Sequence, residues 1–312
     1  MYRIVEARPV GLNIKQFVIE APRIARKQRP GQFVILRLHE RGERIPLTIK
    51  AADPAAGTVT IVVQGVGKTT SLLNCLEPGD FVLDIVGPLG KPSEIEYFGT
   101  VLILAGSVGT AMALPTAKAL KRAGNHVIFI EGARSRDMVV FEGEVGEAST
   151  ECYMVTDDGT YGEKGLVTDK LNELLVAKQK IDLVLAVGPV PMMRAVSQIT
   201  CPLGIKTVVS LNSIMVDGTG MCGGCRVLLG EKSKFACVDG PEFDASQVNF
   251  EVLMQRNAMY REQECESLKK FEQHKEEELK RLRAELNIKK AEPERIRLEI
   301  DELSAAKEGS RG

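Results

Sequence analysis

From about residue 98, the chain alternates apolar segments typical of buried strands with segments that have the pattern of helices. TVLILAG leads into a turn and a helix, and HVIFIEGAR, ECYMVTDDG and IDLVLAVGP are the further strand-like segments. Consecutive parallel strands need a crossover connection, which is usually a helix. The alternation therefore predicts a parallel α/β sheet, in a domain that spans residues 97–205.

Residues 1–96 have a different pattern, in which short β-rich runs are separated by Pro, Gly and Asp. FVILRL, TIVVQGV and FVLDIVG are such runs, and the pairs Pro30-Gly31 and Pro78-Gly79 mark turns between them. Few helical patterns interrupt these runs. We therefore predict that this segment forms a small antiparallel β-barrel.

Two further segments follow the α/β pattern. Residues 206–250 are rich in glycine and cysteine and leave little room for helix, whereas residues 251–312 are helical and, from residue 261, highly charged. Pro293 is expected to break the helix of this tail, giving a hairpin or a kinked arm. A solvated, partly frayed helix and a partner-docking arm both remain open for it. Leu279, Leu282 and Leu286 keep a short coiled-coil-like spacing before the proline, and Ile296, Ile300 and Leu303 restart an apolar stripe after it.

The overall charge and hydropathy exclude several classes of protein. The net charge of −1 provides no field that would attract nucleic acid or a membrane surface. No apolar run reaches the roughly 20 residues that span a bilayer, and the N-terminal MYRIVEARPV lacks the apolar stretch of a secretory signal. We therefore expect a cytoplasmic protein with reduced thiols and with neither nucleic acid nor membrane as a partner.

The most specific motif is Asp217-x4-Cys222-x2-Cys225-x11-Cys237. Plant-type two-iron clusters use the spacing C-x4-C-x2-C with a distant fourth cysteine, and Asp217 stands at the first of these positions. A carboxylate oxygen can also ligate iron. Spacing favours an iron–sulfur cluster, while tetrahedral zinc on the same four residues remains an alternative.

The stretch QGVGKTT, residues 64–70, looks like the end of a nucleotide-binding P-loop. A full motif needs a glycine five positions before Gly67, where the chain has Val62. The loop is therefore not built to wrap a triphosphate. Amides at a helix N-terminus still bind other phosphates, including a dinucleotide pyrophosphate. An ordinary turn with a capping threonine is the alternative.

Glycines close three of the predicted parallel strands. They lie in GSVGTA at residues 106–111, in GAR at residues 132–134 and in GP at residues 188–189. Open α/β sheets bind ligands beyond the carboxyl ends of their strands, so this edge is predicted to bind a nucleotide. In the first domain, RIPLT at residues 44–48 could hold a flavin or be an ordinary strand entry.

Taken in this order, RIPLT, GVGKTT, AGSVGTA and DGTGMCGGC with a later cysteine resemble the ferredoxin–NADP reductase superfamily. Within it, residues 1–260 are most similar to the small subunits of NADH-dependent reduced ferredoxin:NADP oxidoreductases, whose two-iron site has one aspartate and three cysteines. They also resemble the electron-transfer subunits of dihydroorotate dehydrogenases, which normally have four cysteines. Asp217 discriminates between the two groups.

The resemblance implies FAD, a [2Fe-2S] cluster and NAD(H) or NADP(H) as cofactors, and assigns residues to each. The flavin ring would lie on Pro46, Leu47 and Thr48, with Arg44 near its phosphates. The FAD pyrophosphate would be received by Gly67, Lys68, Thr69 and Thr70. The nicotinamide nucleotide would face Gly106, Gly109, Thr110, Gly132, Ala133 and Arg134. The cluster ligands would be Asp217, Cys222, Cys225 and Cys237. No catalytic acid or base is expected in this chain.

The implied function is electron transfer from NAD(P)H through FAD and the cluster to a larger partner, in an electron-bifurcating complex. That partner would be a flavin and iron–sulfur subunit resembling the small chain of glutamate synthase, and it would carry the chemistry of NADP and ferredoxin. An electron-transfer subunit of dihydroorotate dehydrogenase, sulfide dehydrogenase or hydrogenase is one alternative. A non-catalytic, zinc-containing nucleotide-binding protein is another, and a scaffold that acts through the charged arm is a third.

Overall fold

The computed structural model describes the backbone of residues 1–309 and the side chains of residues 1–292. Most of the first 90 residues form one antiparallel sheet. Its strands are β1 (Tyr2–Gly11), β2 (Ile14–Glu20), β3 (Phe33–Arg37), β4 (Ile45–Asp53), β5 (Thr58–Gln64), β6 (Phe81–Val82) and β7 (Asp84–Leu89), with the short helices α1 (Pro22–Ala25) and α2 (Lys68–Leu73) between them.

The strand order β6-β1-β2-β5-β4-β3-β7 curls this sheet into the predicted barrel. The two edge strands, β6 and β7, are separated in the chain by Leu83 alone, so the ends of the sheet must meet. The Leu83 amide donates a hydrogen bond to the carbonyl of Arg37 at the end of β3. Along β5, Val59, Ile61 and Val63 are buried at every second position, as expected for a strand with one face in a core.

The second sheet begins with the predicted strand–helix alternation. Its elements are β8 (Thr100–Gly106), α3 (Gly109–Arg122), β9 (His126–Ala133), α4 (Glu142–Ala148), β10 (Glu151–Thr156), β11 (Glu163–Lys164), α5 (Val167–Val176), β12 (Leu183–Val187), α6 (Val190–Thr200) and β13 (Lys206–Ser210). Short 3₁₀ turns lie at Arg136–Met138, Cys201–Leu203 and Ala245–Gln247.

The cysteine-rich segment folds around a hairpin and then returns to the second sheet. It contains β14 (Arg226–Leu229), β15 (Lys232–Phe235), α7 (Ala236–Asp239) and β16 (Glu242–Asp244). The second sheet has the order β11-β10-β9-β8-β12-β13-β16, and only β16 is antiparallel to its neighbour. The predicted boundary at residue 206 thus falls at the start of β13, and both ends of the segment 206–250 belong to this sheet.

The C-terminal segment forms α8 (Phe250–Asn257), α9 (Arg261–Gln273) and α10 (Lys275–Gly309). The helical extension is confirmed, but the break expected at Pro293 is wrong. The backbone of α10 continues through that residue, and the interruption lies at His274. The tail is not a freely solvated helix either, because Phe271, Leu282 and Leu286 are buried within the barrel's own hydrophobic cluster. In the described part of the chain, no helix is long and apolar enough to cross a membrane.

Candidate functional site

Three glycine-bearing strand ends meet at one edge of the second sheet. Gly106 and Gly132 are register partners at the ends of β8 and β9, and Gly188 follows β12 on the other side of β8. The Ser107 amide donates to the carbonyl of Gly132 over 2.7 Å, which joins the first two loops. The structure therefore brings together the strand ends that the sequence predicts as a nucleotide-binding edge.

Two of these glycines allow close packing at the edge. A Cβ atom on Gly109 would collide with the carbonyl of Val187, and one on Gly132 would collide with the Val167 side chain. Gly109 therefore lets the N-terminus of α3 approach β12, and Gly132 lets α5 approach β9. The amides of the first turn of α3 consequently lie at the sheet edge, where an anionic ligand is favoured. Arg134 is exposed just beyond β9.

A buried carboxyl group lies beneath this edge, and no sequence pattern indicates it. Glu131, on β9, is 0% exposed, and its Oε1 accepts a hydrogen bond of 2.8 Å from the Val140 amide. Burial raises the pKa of Glu131 to about 8, although the Val140 amide and the Thr110 hydroxyl both act to lower it. Oε2 of Glu131 and Oγ1 of Thr110 have no geometrically regular hydrogen-bond partner among the described residues.

The predicted flavin strand, β4, lies in the barrel wall next to β3. Pro46, Leu47 and Thr48 pair with residues of β3 and are half-buried, so they leave part of their surface open to a ligand. Arg44 lies one residue before β4, and its Nε donates a 2.6 Å hydrogen bond to the carbonyl of Val216. The sequence predicts Arg44 near the flavin phosphates, and in this structure it contacts the cysteine-rich loop.

Residues 67–70, which are predicted to receive the FAD pyrophosphate and are called the pyrophosphate cradle below, begin in the turn between β5 and α2 and continue into α2. The Thr70 hydroxyl oxygen accepts hydrogen bonds from the amides of Val66 (3.1 Å) and Gly67 (3.0 Å), so Thr70 caps the turn itself. A Cβ atom on Gly67 would meet nothing within 4 Å, so the space in front of the turn is open. Lys68 and Thr69 supply side-chain donors beside this space, a combination that fits a phosphate group.

The four predicted cluster ligands form two adjacent pairs. The Sγ of Cys222 lies 3.3 Å from Oδ1 of Asp217, and the Sγ atoms of Cys225 and Cys237 are 3.1 Å apart. A two-iron cluster takes two ligands on each iron, so a donor set in two pairs fits it.

Backbone amides surround these donors. Asp217 accepts hydrogen bonds from the amides of Thr219 (3.1 Å), Met221 (3.1 Å) and Cys222 (3.0 Å). Although burial acts in the opposite direction, the amides and side chains of Thr219 and Cys222 hold the pKa of Asp217 well below its ordinary value. The Gly224 amide donates to the sulfur of Cys222 over 3.4 Å. The loop therefore supplies an ionised carboxylate and amides directed at sulfur.

The other cysteine pair is more deeply enclosed. Cys225 and Cys237 are buried, and the Cys237 amide donates to the sulfur of Cys225 over 3.4 Å. Burial, together with the neighbouring Cys225 thiol, raises the pKa of Cys237 to about 12. Without a metal the Cys237 thiol is therefore protonated at neutral pH, and binding of a metal by its thiolate must release a proton.

The cysteine-rich loop rests on the barrel at the flavin strand. Gly218 has φ = +79°, and a Cβ atom there would lie 2.7 Å from side-chain atoms of Ile35 on β3 and Leu89 on β7. Ile35 is also the register partner of Pro46. Glycine at position 218 thus satisfies a left-handed backbone and allows the close approach that places the loop next to the predicted flavin site.

This chain is similar to known proteins over most of its length. The family model of the iron-sulfur cluster binding domain of dihydroorotate dehydrogenase B matches residues 212–249, which include all four predicted ligands. A dihydroorotate dehydrogenase B (NAD(+)) electron transfer subunit homologue from Thermotoga maritima is 48% identical over 86% of this chain and 94% of its own length. An electron transfer subunit of this enzyme from a Geobacillus species is 31% identical over 78% of this chain and 96% of its own.

Solved structures are similar as well. One, described as giving insights into flavin-based electron bifurcation in an NADH-dependent reduced ferredoxin-NADP oxidoreductase, superimposes with a TM-score of 0.82 and 45% identity. The match covers 87% of this chain and 98% of that one. An Amycolatopsis cytochrome P450 reductase, at 20% identity and a TM-score of 0.53, shares the fold alone. The predicted ferredoxin-reductase-like fold is therefore confirmed.

Proposed function

This chain belongs to the family of dihydroorotate dehydrogenase B electron transfer subunits, and we propose that it moves electrons from NAD(P)H through FAD and a [2Fe-2S] cluster to a larger partner subunit. When bound, a flavin accepts two electrons as a hydride, and a two-iron cluster passes electrons on singly. The residues of this chain bind and orient these groups. No acid or base in the chain is required for the transfer.

The contact between the flavin strand and the cysteine-rich loop is the observation that carries the proposal. The segment that leads into β4 connects two sites, because Glu43 accepts a hydrogen bond from Thr69 of the pyrophosphate cradle and the next residue, Arg44, donates to Val216. Gly218 fits against Ile35 on the strand paired with β4. A flavin held on Pro46, Leu47 and Thr48 would therefore lie directly beside the ligands Asp217, Cys222, Cys225 and Cys237.

The nucleotide edge also faces the barrel. Ala111 in the first turn of α3 is buried in one cluster with Ile14, Val62 and Val140, so α3 packs directly on strands β2 and β5. This packing supports a nicotinamide site at the barrel wall, where a hydride could reach the flavin. The residues proposed to face that nucleotide are Gly106, Gly109, Thr110, Gly132, Ala133 and Arg134.

The surface around the cluster loop supports a partner that receives the electrons there. Met221 is 89% exposed, and Val216 and Val238 are 50% and 45% exposed. These three apolar side chains lie beside the ligands, and an exposed apolar group of this kind is typical of a protein interface. We assign this surface to the larger flavin and iron–sulfur subunit, through which NADP and ferredoxin would react.

Asp217 discriminates between two candidate partners. An aspartate among the ligands supports an NADH-dependent reduced ferredoxin:NADP oxidoreductase. The fold of this chain matches a structure described with that name over 98% of that structure's chain. The second candidate, a dihydroorotate dehydrogenase partner, is favoured by the matched family model and by relatives of that name. In either case the chain would transfer electrons and would not bind the partner's substrate.

An anaerobic absorbance and EPR titration of the purified full-length chain tests this function. We expect flavin bands that bleach on addition of NADH or NADPH, followed by the EPR signal of a reduced two-iron cluster. Comparing the two nucleotides as reductants gives the preference between them. A colourless protein that contains zinc and gives no EPR signal would refute the electron-transfer function and favour a non-catalytic nucleotide-binding protein.

A further inference from the structure

The C-terminal helices dock on the flavin half of the molecule. Phe271 of α9 and Leu282 and Leu286 of α10 are only 2–3% exposed and extend the core of the barrel. Arg283 also forms a bidentate ion pair with Asp80, with N–O distances of 3.1 and 2.7 Å. These contacts fix the first turns of α10 against the barrel. A side chain in that part of α10 is therefore presented to the barrel at a defined place.

One such side chain is Glu278, which lies at the proposed pyrophosphate cradle. Its Oε1 is 3.2 Å from Nζ of Lys68, and each of the two side chains is 30% exposed. The neighbouring donor, the Thr69 hydroxyl, bonds to the carboxylate of Glu43. Both side-chain donors of the cradle are thus held by carboxylates, and a carboxylate is the side chain that most resembles a phosphate oxygen in charge and geometry.

We propose that Glu278 competes with the pyrophosphate of FAD for Lys68, so that the C-terminal helix lowers and sets the affinity of the flavin site. This inference rests on the proposed function, because it takes residues 67–70 as the pyrophosphate cradle. The docked helix cannot carry Glu278 away from the cradle. When FAD binds, the carboxylate must rotate off Lys68, and its negative charge stays near the phosphates.

The expected direction follows from this competition. Glu278→Gln removes the charge that neutralises Lys68 and repels the phosphates, and it keeps the size of the side chain. A half-exposed ion pair of this kind changes a binding constant by roughly two- to fivefold, so FAD should bind tighter by that factor. Glu277→Gln is the matched control, since Glu277 is an exposed glutamate one position earlier on the same helix.

The experiment measures FAD release from the full-length holoprotein on dilution, followed by the recovery of flavin fluorescence. Wild type, Glu278→Gln, Glu277→Gln, Lys68→Gln and the double variant of residues 68 and 278 are compared at two salt concentrations. We expect tighter binding for Glu278→Gln, no change for Glu277→Gln and weaker binding for Lys68→Gln. The gain in FAD affinity from Glu278→Gln should be smaller when Lys68 is also replaced, as a double-mutant cycle requires of interacting residues.

The possible failures are distinguishable. If Lys68→Gln weakens binding while Glu278→Gln matches the wild type, the competition is refuted and the pyrophosphate cradle stands. An equal gain from Glu277→Gln and Glu278→Gln also overturns the inference, because it indicates a general effect of charge. If Lys68→Gln leaves FAD release unchanged, the assignment of the cradle itself fails, and this inference fails with it.

Discussion

Replacing Glu131 with glutamine should remove a loss of stability that the wild-type protein suffers as the pH rises. The carboxyl group lies on β9, in the interior of a sheet buried on both faces, and is 0% exposed. In the folded protein, burial raises its pKa from 4.5 to about 8. Glutamine has nearly the same shape as the protonated acid, and its amide can donate a hydrogen bond to the neighbouring Thr110 oxygen.

The sign and size of the effect follow from proton linkage. Below pH 4.5 both the folded and the unfolded states hold the proton, so the ionisation of this group does not change the free energy of unfolding. Between pH 4.5 and 8 only the unfolded state releases it, so the free energy of unfolding falls by up to 1.4 kcal/mol per pH unit. The interval from 4.5 to about 8 corresponds to about 5 kcal/mol at most. Structural relaxation reduces this, and we expect about 2–5 kcal/mol at pH 9.

Urea unfolding of wild type and Glu131→Gln at pH 5, 7 and 9, with saturating FAD, measures this difference. The free energy of unfolding of the variant, relative to that of the wild type, should rise from pH 5 to pH 7 and again from pH 7 to pH 9. Glu147→Gln, an exposed glutamate on α4, is the control and should follow the wild type at every pH. If the difference between Glu131→Gln and the wild type is the same at pH 5 and pH 9, the buried carboxyl does not change its protonation on unfolding in this pH range.

Three further predictions concern the cluster, the tail and the nucleotide edge. Cys237→Ala should lose most of the bound iron in a metal assay, whereas Cys265→Ala, an exposed cysteine on α9, should keep it. Leu282→Ala should lower the stability of the protein by about 2–5 kcal/mol in urea unfolding, because it leaves a cavity at the barrel. Ile288→Ala on the same helix, where the side chain is 70% exposed, should change it by less than about 0.5 kcal/mol. Gly132→Ala should cost about 1–3 kcal/mol and weaken NADH binding, because its Cβ would collide with Val167, whereas Gly143→Ala, which meets nothing within 4 Å, should be neutral or stabilising. Iron retained in Cys237→Ala would contradict its assignment as a cluster ligand. Equal losses of stability in Leu282→Ala and Ile288→Ala would contradict the packing of Leu282 on the barrel. Equal losses in Gly132→Ala and Gly143→Ala would contradict the close approach at Gly132.

Several features of the fold could be read from short-range patterns. The apolar runs that became β8, β9, β10 and β12 are long enough, and regular enough in their alternation with helices, to indicate a parallel sheet. Asp217, Cys222 and Cys225 lie within nine residues of one another, and the glycines between them permit the turns that bring these donors into one loop. These features depend on neighbouring residues in the chain, and a single sequence contains them.

Other features depend on segments that meet only after folding. The pairing of β16 with β13 joins strands separated by the whole cysteine-rich loop, and no local pattern in the sequence indicates it. The helix break predicted at Pro293 lies at His274 instead, where the tail turns to lay Leu282 and Leu286 on the barrel. Proline costs a helix one hydrogen bond, and a helix can continue through that loss.

The sequence by itself determined the fold class, and it also led to the predictions of four cluster ligands and of a phosphate-binding turn, because each depends on residue type and local spacing. Only the tertiary structure decided that Arg44 contacts the cluster loop, that Glu131 lies buried beneath the nucleotide edge, and that Glu278 reaches Lys68 across 210 positions of the chain. The physical reason is that burial and electrostatic pairing depend on distance in space. A charged residue has the same letter in the sequence whether it lies in water or beside a partner from the other end of the chain.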